Sequence, residues 1–486
     1  MDTPTSLRPG TDCWRIETAS RVGVVIDAEA YFNIARAAMV RAQHRIMLIG
    51  WDFDARINLG DAAADGGPPT VGDFILWLVE RTPGLEVFVL RWDVGALKSL
   101  VQRQTLVKLA QWMLHPRIEV RLDSAHPTAA SHHQKIVVLD DSLAFCGGID
   151  MTDGRWDTRA HRDDDPGRAG PGGTANPPWH DATSALEGPA AAALGELCRT
   201  RWQRAGGKSL APVTQTSDCW PEQLRVDFRD IAIGVARSEP KMPDRPAVTE
   251  IEQLYVSMIA RAQHSIYAES QYFASRRIAE AIAKRLGEAD GPEIVIINPL
   301  TADGWLEPIA MDSARARLFE ALHLRDKHQR LRMFHPYTAG GEPIYIHAKM
   351  MIVDDVLLKI GSSNFNNRSL RLDTECDMVI DAALPGNAAA APRIIAIRDD
   401  LIAEHLGVAP AQVTAALAQH GSLIAAIDTL RAGSQRLRDY VVPDLAAVEA
   451  WLADNEVLDP EGPDEMFEGL AERGLFRNFH LFGGKA

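Results

Sequence analysis

The chain has 486 residues, a length that predicts two or three structural units at roughly 150 residues per domain. We expect a cytoplasmic or peripheral membrane protein, because no run of about 18 apolar residues occurs and the N-terminus, MDTPTSLRPGTDCW, lacks a signal-peptide pattern. Secretion by a signal-independent route stays an open alternative. The net charge of −15 argues against a dedicated nucleic-acid binder, which needs basic surface to neutralise phosphates.

The first part of the chain predicts alternating helices and strands. Residues 31–53, YFNIARAAMVRAQHRIMLIGWDF, predict an amphipathic helix that ends near RAQH, followed by an apolar strand. A second helix is predicted in VGDFILWLVERT (71–82) and a second buried strand in GLEVFVLRWDV (84–94). Alternation of this kind favours an α/β layered architecture.

Two segments in the middle of the chain are predicted to be irregular. RDDDPGRAGPGGTANPPW (162–179) is dense in Pro, Gly and Asp, which predicts a loop. It is either a lid or rim over a substrate site or disordered decoration. The prolines of SEPKMPDRPAVTE (238–250) indicate a linker between two parts of the chain.

The second part repeats the first. LYVSMIARAQHSIYAESQYF (254–273) again predicts a helix that ends near RAQH, followed by a strand, and RRIAEAIAKRLGEA and PEIVIINPL predict another helix and another strand. We therefore expect two homologous α-β-α layered halves related by a pseudo-twofold axis. The predicted boundaries are 1–240 for the first half, 241–410 for the second, and 411–486 for a helical C-terminal extension.

One small constellation occurs in both halves. SHHQKIVVLDD (131–141) and IHAKMMIVDD (346–355) each contain His-x-Lys, an apolar run and a pair of aspartates. In a strand the His and the Lys would project from the same face, and the aspartates would form a turn into a second strand, SLAFCGG or VLLKIGSS. The candidate catalytic residues are His133, Lys135, Asp140, His347, Lys349 and Asp354.

An imidazole beside an ammonium suits a phosphate substrate. Lysine neutralises charge that grows on phosphate in the transition state, and histidine can act near neutral pH as a nucleophile or as an acid. Two histidines on opposite sides of a phosphodiester can divide these tasks, one attacking phosphorus and the other protonating the departing alcohol. The residues alone do not assign the two roles.

Polar residues after each motif extend the candidate site. Asp150 and Asn364 follow glycines at the same distance from the two lysines, where they can bind or orient the substrate. A carboxylate on the far nitrogen of each histidine would fix its tautomer. We expect Glu375 to do this for His347 and Asp157 for His133, with a surface salt bridge as the competing interpretation for each.

The five cysteines are widely separated and form no Cys-x-x-Cys pair, so we expect buried structural thiols, with no disulfide framework and no zinc site. We expect no cofactor. Three tryptophans near the predicted site have two open interpretations: contact with a lipid surface or head group, or packing in the core. They are Trp92, Trp156 and Trp179.

The two motifs resemble the signature of the phospholipase D superfamily, His-x-Lys-x4-Asp followed by Gly-Ser/Gly-x-Asn/Asp. HHQKIVVLDDSLAFCGGID and IHAKMMIVDDVLLKIGSSNFNNRS both match it. GGIDMTDGRWDT, SQYF (270–273) and EHLG (404–407) resemble the eukaryotic-like branch in particular. The resemblance covers roughly residues 20 to 410, and Asp150 is a departure, since many relatives have Asn there.

This resemblance implies a bilobal monomer with one site between the halves and no obligatory metal. It also implies that His133 is the nucleophile, that His347 is the general acid, and that Asp140 and Asp354 support structure more than chemistry. The expected activity is hydrolysis of a phospholipid, of the phosphatidylcholine type, to phosphatidate and a free alcohol, with transfer to other alcohols as a side reaction.

Other functions use the same chemistry. A nuclease, a toxin, a cardiolipin-type synthase and a non-enzymatic lipid-binding scaffold are the alternatives. We expect a phospholipid partner and no nucleic acid, because the chain is acidic and carries two motifs.

Overall fold

The computed structural model describes residues 5–92, 103–127, 130–215, 217–302 and 311–443. It confirms the α/β fold class: one mixed sheet of sixteen strands runs through the molecule, and β7 and β14 form a separate parallel pair. The strands are β1 (Arg15–Ile26), β2 (Arg45–Gly50), β3 (Glu86–Trp92), β4 (Ile118–Asp123), β5 (Ile136–Leu139), β6 (Leu143–Gly147), β7 (Trp179–His180), β8 (Ala182–Glu187), β9 (Phe228–Glu239), β10 (Val248–Thr249), β11 (Ser265–Glu269), β12 (Glu293–Ile297), β13 (Leu331–Pro336), β14 (Tyr345–Ile346), β15 (Met350–Val353), β16 (Leu357–Gly361), β17 (Glu375–Asp381) and β18 (Leu437–Asp439).

The order of the strands shows the internal repeat. One side of the large sheet runs β1-β8-β6-β5-β2-β3-β4, and the other side runs β9-β17-β16-β15-β11-β12-β13. These two orders are equivalent, with β1 and β9 pairing antiparallel at the centre, where Ile16 faces Gly234. In each half three strands run parallel, β2-β3-β4 and β11-β12-β13, and the motif strands β5 and β15 run antiparallel to β2 and β11.

Helices cover both faces of the sheet, as an α-β-α layered arrangement requires. Along β2 the side chains alternate, so that Met47 packs into one core layer and Leu48 into the layer on the opposite face. The helices are α1 (Ala28–Met39), α2 (Val71–Arg81), α3 (Arg103–Leu114), α4 (Pro189–Arg204), α5 (Glu250–Arg261), α6 (Arg276–Leu286), α7 (Ser313–His323), α8 (Ala391–Leu406), α9 (Pro410–His420) and α10 (Leu423–Leu430).

The core shared by the two halves lies on one face of the sheet. Leu194 of α4 and Leu401 of α8 belong to the same buried cluster as strand residues of both halves. The opposite face carries a separate core in each half, under α1 and α2 in the first and under α5 and α6 in the second. The halves are thus joined by a continuous sheet and by a common hydrophobic layer.

The aspartate turns after the two motifs are confirmed, and their role is structural. Asp140 has a left-handed backbone with a φ of 49°, which Asp tolerates better than most residues. Its carboxylate accepts hydrogen bonds from the backbone N–H groups of Gln43, His44 and Arg45, at 2.7–2.8 Å. Asp354 does the same for the second RAQH segment. Each motif aspartate therefore fixes the start of the neighbouring strand.

The strand order bears on the boundary between the halves. Because β9 occupies in the second half the position of β1 in the first, we propose that the second half begins before β9, and not at residue 241. Within 238–250, the predicted linker, Met242 and Arg245 form a short turn. The C-terminal extension begins with α9, α10 and β18, and residues 444–486 lie outside the described residues.

All five cysteines are free and buried, which confirms the prediction of structural thiols. Among the described residues, no single helix is long and apolar enough to cross a membrane. One pair of consecutive helices has the length and composition of a span, Ala388–Leu406 with Pro410–His420, but the pair is bent by 108°.

Candidate active site

Each His-x-Lys segment lies against backbone of the other half. His133 donates its backbone N–H to the carbonyl of Thr374 (3.1 Å), and His347 donates to the carbonyl of His180 (2.8 Å). The prediction that the motif residues lie within a strand is wrong by a short margin, because β5 and β15 begin one residue after Lys135 and Lys349. The extended segments before these strands pair with the other half instead.

The predicted partner of Glu375 is wrong. Its carboxylate accepts a hydrogen bond from Nδ1 of His133, at 2.9 and 3.0 Å to its two oxygens, and not from His347. Ser362 and Ser369 donate their hydroxyl groups to the same carboxylate. Burial raises the pKa of Glu375 to about 8. The second half thus orients the histidine of the first.

Asp181 is the partner of His347 and was missed from the sequence. Its Oδ2 lies 2.6 Å from Nδ1 of His347, and its Oδ1 accepts a hydrogen bond from the backbone N–H of Ala182 (2.8 Å). Burial raises the pKa of Asp181 to about 6. The signal was the repeat itself: Asp181 immediately precedes β8 and Glu375 begins β17, and these strands are equivalent. The loop at 162–179 lengthens the first copy, so Asp181 and Glu375 stand at different sequence distances from the motifs of their own halves.

Asp157 does not orient His133, so this prediction is also wrong. Its carboxylate accepts hydrogen bonds from Nδ1 of His161 (2.9 Å) and from the backbone N–H of Trp179 (2.9 Å). The guanidinium of Arg168, in the 162–179 loop, lies 3.4 Å away. Asp157 therefore ties this ordered loop to the β7 segment and acts beside the site without contacting either motif histidine.

The two motif lysines differ in their partners. Lys135 forms an ion pair with Asp150 (3.1 Å) and donates to the carbonyl of His133 (2.9 Å). Lys349 donates to the carbonyl of His347 and to Oε1 of Gln271 (3.3 Å), but it forms no ion pair within the described part of the chain. Burial lowers the pKa of Lys349 to about 7, since Asp181 compensates it only in part. Among the described residues, an ion pair with a carboxylate thus forms at Lys135 and not at Lys349.

Asp150 and Asn364 lie at equivalent places beside the two lysines. Asp150 accepts a hydrogen bond from the backbone N–H of Trp51 (3.1 Å), so its carboxylate is engaged by protein groups. Asn364 donates to Gln271 (3.3 Å), and its buried Oδ1 has no hydrogen-bond partner among the residues that the structure describes. Gln271, which bridges Lys349 and Asn364, belongs to the SQYF segment that the sequence singled out only as a resemblance.

The two imidazoles share one electrostatic environment. Burial lowers the pKa of His133 well below its ordinary value, and the charges of Lys135 and Lys349 add to the effect. Burial likewise lowers the pKa of His347, together with Lys349, with Arg155 and with Lys135 of the other motif. Both rings are therefore neutral at pH 7 before substrate binds. An arriving phosphate would raise their pKa values, which favours proton transfer within the complex.

Aromatic rings flank both histidines. Trp51 and Trp92 stack at 5.7 Å beside Lys135, whose ammonium lies 5.9 Å from the Trp51 ring centre. Trp179 stacks on Tyr345 at 4.5 Å, and its ring centre is 5.0 Å from that of His347. Of the three tryptophans predicted near the site, Trp179 therefore lies beside a motif histidine, and Trp92 stacks on a ring that lies beside a motif lysine.

The third tryptophan, Trp156, packs against the core of the first half instead. It also lines a cavity of about 1190 Å³, together with Arg56 and Arg168. Neither motif histidine lines this cavity, so its size does not define the candidate site.

A buried cluster of histidines and carboxylates lies next to Asp181 and includes its neighbour in sequence, His180. Nδ1 of His180 lies 3.1 Å from Glu404 and its Nε2 lies 3.0 Å from Glu269, while His161 lies 3.1 Å from Glu404. Two groups within this cluster are each close enough together to hold a metal ion, Asp27 with His161, His180 and Glu404, and His180 with Glu269 and His405, and here their members bond to one another. Burial lowers the pKa of His161, but the surrounding carboxylates outweigh it and raise that pKa to about 9. The cluster joins the two halves next to the Asp181 backbone.

Comparisons with known proteins find similar sequences and a similar fold. A family model described as "Phospholipase D" matches residues 38–277, and one described as "Cardiolipin synthase, PLD-like domain" matches residues 255–391. Phospholipase D alpha 1 of Carica papaya and that of Nicotiana tabacum are each 25% identical over 513 residues, covering 76% of this chain. The chain spans 63% of the length of these relatives. The crystal structure of phosphatidylserine synthase from Haemophilus influenzae Rd KW20 is similar in fold, with a TM-score of 0.52 and 14% identity over 79% of this chain and 87% of that one.

Proposed function

Because the chain belongs to the phospholipase D superfamily, we propose that it is a phosphodiester-cleaving enzyme that acts on glycerophospholipids at a membrane surface. One observation carries this proposal. Two neutral imidazoles, each oriented by a carboxylate of the other half, share their surroundings with two lysines. That arrangement suits attack on a phosphorus atom held between the rings.

In the first step Nε2 of His133 attacks phosphorus, because Nδ1 of this ring is engaged by Glu375. A P–N bond forms as the bond from phosphorus to the head-group oxygen breaks. His347, protonated in the substrate complex, gives its Nε2 proton to that oxygen, and the head-group alcohol leaves. The positive charge that develops on the phosphorylated imidazole lowers the raised pKa of Glu375, and the ionised carboxylate in turn stabilises that charge.

In the second step water replaces the alcohol. The now neutral His347 takes a proton from the water, the oxygen bonds to phosphorus, and the P–N bond to His133 breaks. The products are phosphatidate and regenerated enzyme. An alcohol in place of water would give a new phosphodiester by the same path, which is transphosphatidylation.

The lysines and amides hold the phosphoryl oxygens during both steps. Lys135 and Lys349 neutralise the charge on those oxygens, and Asn364 offers a polar side chain whose hydrogen bond within the described part of the chain is to Gln271. Each step adds charge to the phosphoryl group, so we expect these contacts to be stronger in the transition state than in the ground state. Both motifs are in one chain, and we propose that a monomer is sufficient.

A substrate comparison tests the proposal. The purified protein is incubated with phosphatidylcholine vesicles and, separately, with single-stranded DNA, while release of the head group and nicking are measured. Head-group release that disappears in His133→Ala supports the phospholipase. Nicking without lipid turnover would replace it with the nuclease alternative, and vesicle binding without turnover of either substrate would favour the scaffold.

A further inference from the structure

The charged groups on the His133 side of the site are paired. Lys135 is paired with Asp150 at 3.1 Å, and Arg368 is paired with Asp373 at 2.8 Å. Asp373 lies close enough to His133 to influence its pKa, which burial lowers overall. On this side Lys135 and Arg368 therefore each have a carboxylate partner already.

The His347 side carries an unpaired arginine. The guanidinium carbon of Arg155 lies 4.1 Å from the centre of the Trp179 ring, and that ring is 5.0 Å from the ring of His347. Among the described residues Arg155 has no hydrogen-bond or ion-pair partner, and its Nε is buried. Its positive charge acts on the catalytic centre, because it adds to burial in lowering the pKa of both His347 and Lys349.

The proposed mechanism places the head group on this same side. When His133 attacks phosphorus in line, the departing oxygen lies opposite His133 and next to the general acid, His347. The head group must then extend along the surface formed by Arg155, Trp179 and Tyr345.

The chemistry of this surface discriminates between head groups. A quaternary ammonium binds best over an open indole face, but the Trp179 ring here already carries a guanidinium and a stacked tyrosine. Arginine presents a planar fork of N–H donors that matches the two oxygens of a carboxylate or phosphate. Lys349, also without a carboxylate partner among the described residues, adds to the positive potential.

We propose that Arg155 forms a subsite for an oxyanion carried by the head group, so that anionic phospholipids are preferred over phosphatidylcholine. This inference rests on the proposed function, and it names anionic phospholipids in place of phosphatidylcholine as the preferred substrates. The oxyanion is either a carboxylate, as in phosphatidylserine, or a second phosphate, as in cardiolipin. The buried, unpartnered Nε and the engaged Trp179 face are the observations that carry it.

The test measures ratios of kcat/KM, which do not depend on the fraction of active enzyme. Short-chain monomeric phosphatidylserine, cardiolipin, phosphatidylethanolamine and phosphatidylcholine are used, so that attraction to a charged vesicle surface plays no part. We expect the ratio of the anionic substrate to phosphatidylcholine to exceed one in the wild type. In Arg155→Gln that ratio should fall about 10- to 100-fold, as expected when a charged hydrogen-bond partner is lost.

Two further variants complete the design. Arg155→Lys keeps the charge without the fork and should retain part of the preference, while Arg162→Gln, an exposed arginine of the adjoining loop, should leave the ratio at the wild-type value. Which anionic lipid responds identifies the source of the oxyanion. An Arg155→Gln ratio equal to that of the wild type overturns the subsite, while the absence of lipid turnover in the wild type overturns the proposed function itself.

Discussion

The pairing of Asp181 with His347 gives the sharpest prediction about mechanism. In Asp181→Asn the side chain keeps its size but loses the charge that holds a proton on Nδ1 of His347, 2.6 Å away. The general acid then loses both its orientation and the stabilisation of its protonated form. We expect a large fall in the rate of the first step on ordinary phospholipid, with the protein still folded.

The magnitude follows from the environment of the bond. Asp181 is fully buried, and a hydrogen bond to a charged group is worth about 1.5–3 kcal/mol, which corresponds to roughly a 10- to 150-fold change in rate. Loss of the correct tautomer adds to this, since removal of the orienting carboxylate in a serine-protease triad costs about 10⁴-fold. We therefore expect kcat to fall by about 10²- to 10⁴-fold.

The assay varies the leaving group. The p-nitrophenyl ester of phosphatidate releases nitrophenolate without needing a proton, so the first step no longer depends on the general acid. In single-turnover experiments we expect Asp181→Asn to recover to within about 10-fold of the wild type on this ester, because the contribution of acid catalysis is absent. Glu375→Gln, which affects the nucleophile His133, should keep its full defect on both substrates.

The control is Asp157→Asn, which removes a buried carboxylate bonded to His161 and should show no dependence on the leaving group. Equal defects of Asp181→Asn on the two esters would refute its role through a general acid. Selective recovery of Glu375→Gln instead would show that the roles of the two histidines are reversed.

The remaining predictions concern stability and pH. Asp140→Ala leaves three backbone N–H groups without an acceptor and should lower the free energy of unfolding by about 2–4 kcal/mol, measured by thermal or urea denaturation. Asp354→Ala should cost less, because its carboxylate is more exposed; an equal or larger loss would contradict this. The kcat/KM of the wild type should fall as pH rises through about 7, since Lys349 with its lowered pKa then loses its charge. In Lys349→Arg this alkaline limb should move upward, because arginine stays protonated, and an unmoved limb would assign it to another group.

The elements and the repeat could be predicted from the sequence because their signals are local. The RAQH helix ends, the apolar strands and the aspartate turns depend on periodicity and turn chemistry within a few residues, and the structure has all of them. The resemblance to the phospholipase D superfamily depended on the same short motifs. It is confirmed by the family models.

The partners of the histidines could not be predicted, because they depend on contacts between the halves. Glu375 and Asp181 each reach across to the motif of the other repeat, so sequence proximity pointed to the wrong histidine for Glu375. Asp181 comes after the long loop at 162–179, so it lies further along the sequence from the first motif than Glu375 lies from the second. That Arg155 has no ion-pair partner among the described residues is likewise a tertiary property, since Asp153 and Asp157 are close to it in sequence.

The covalent intermediate tests the central claim most directly. His347→Ala, which cannot activate water in the second step, is incubated with the p-nitrophenyl ester of phosphatidate labelled at phosphorus, quenched in base, and digested for peptide mapping. We predict an acid-labile, base-stable label on the peptide that contains His133, and its absence in His133→Ala. Label on His347 of the wild type, or lipid turnover with no phosphoprotein on either histidine, would contradict the account.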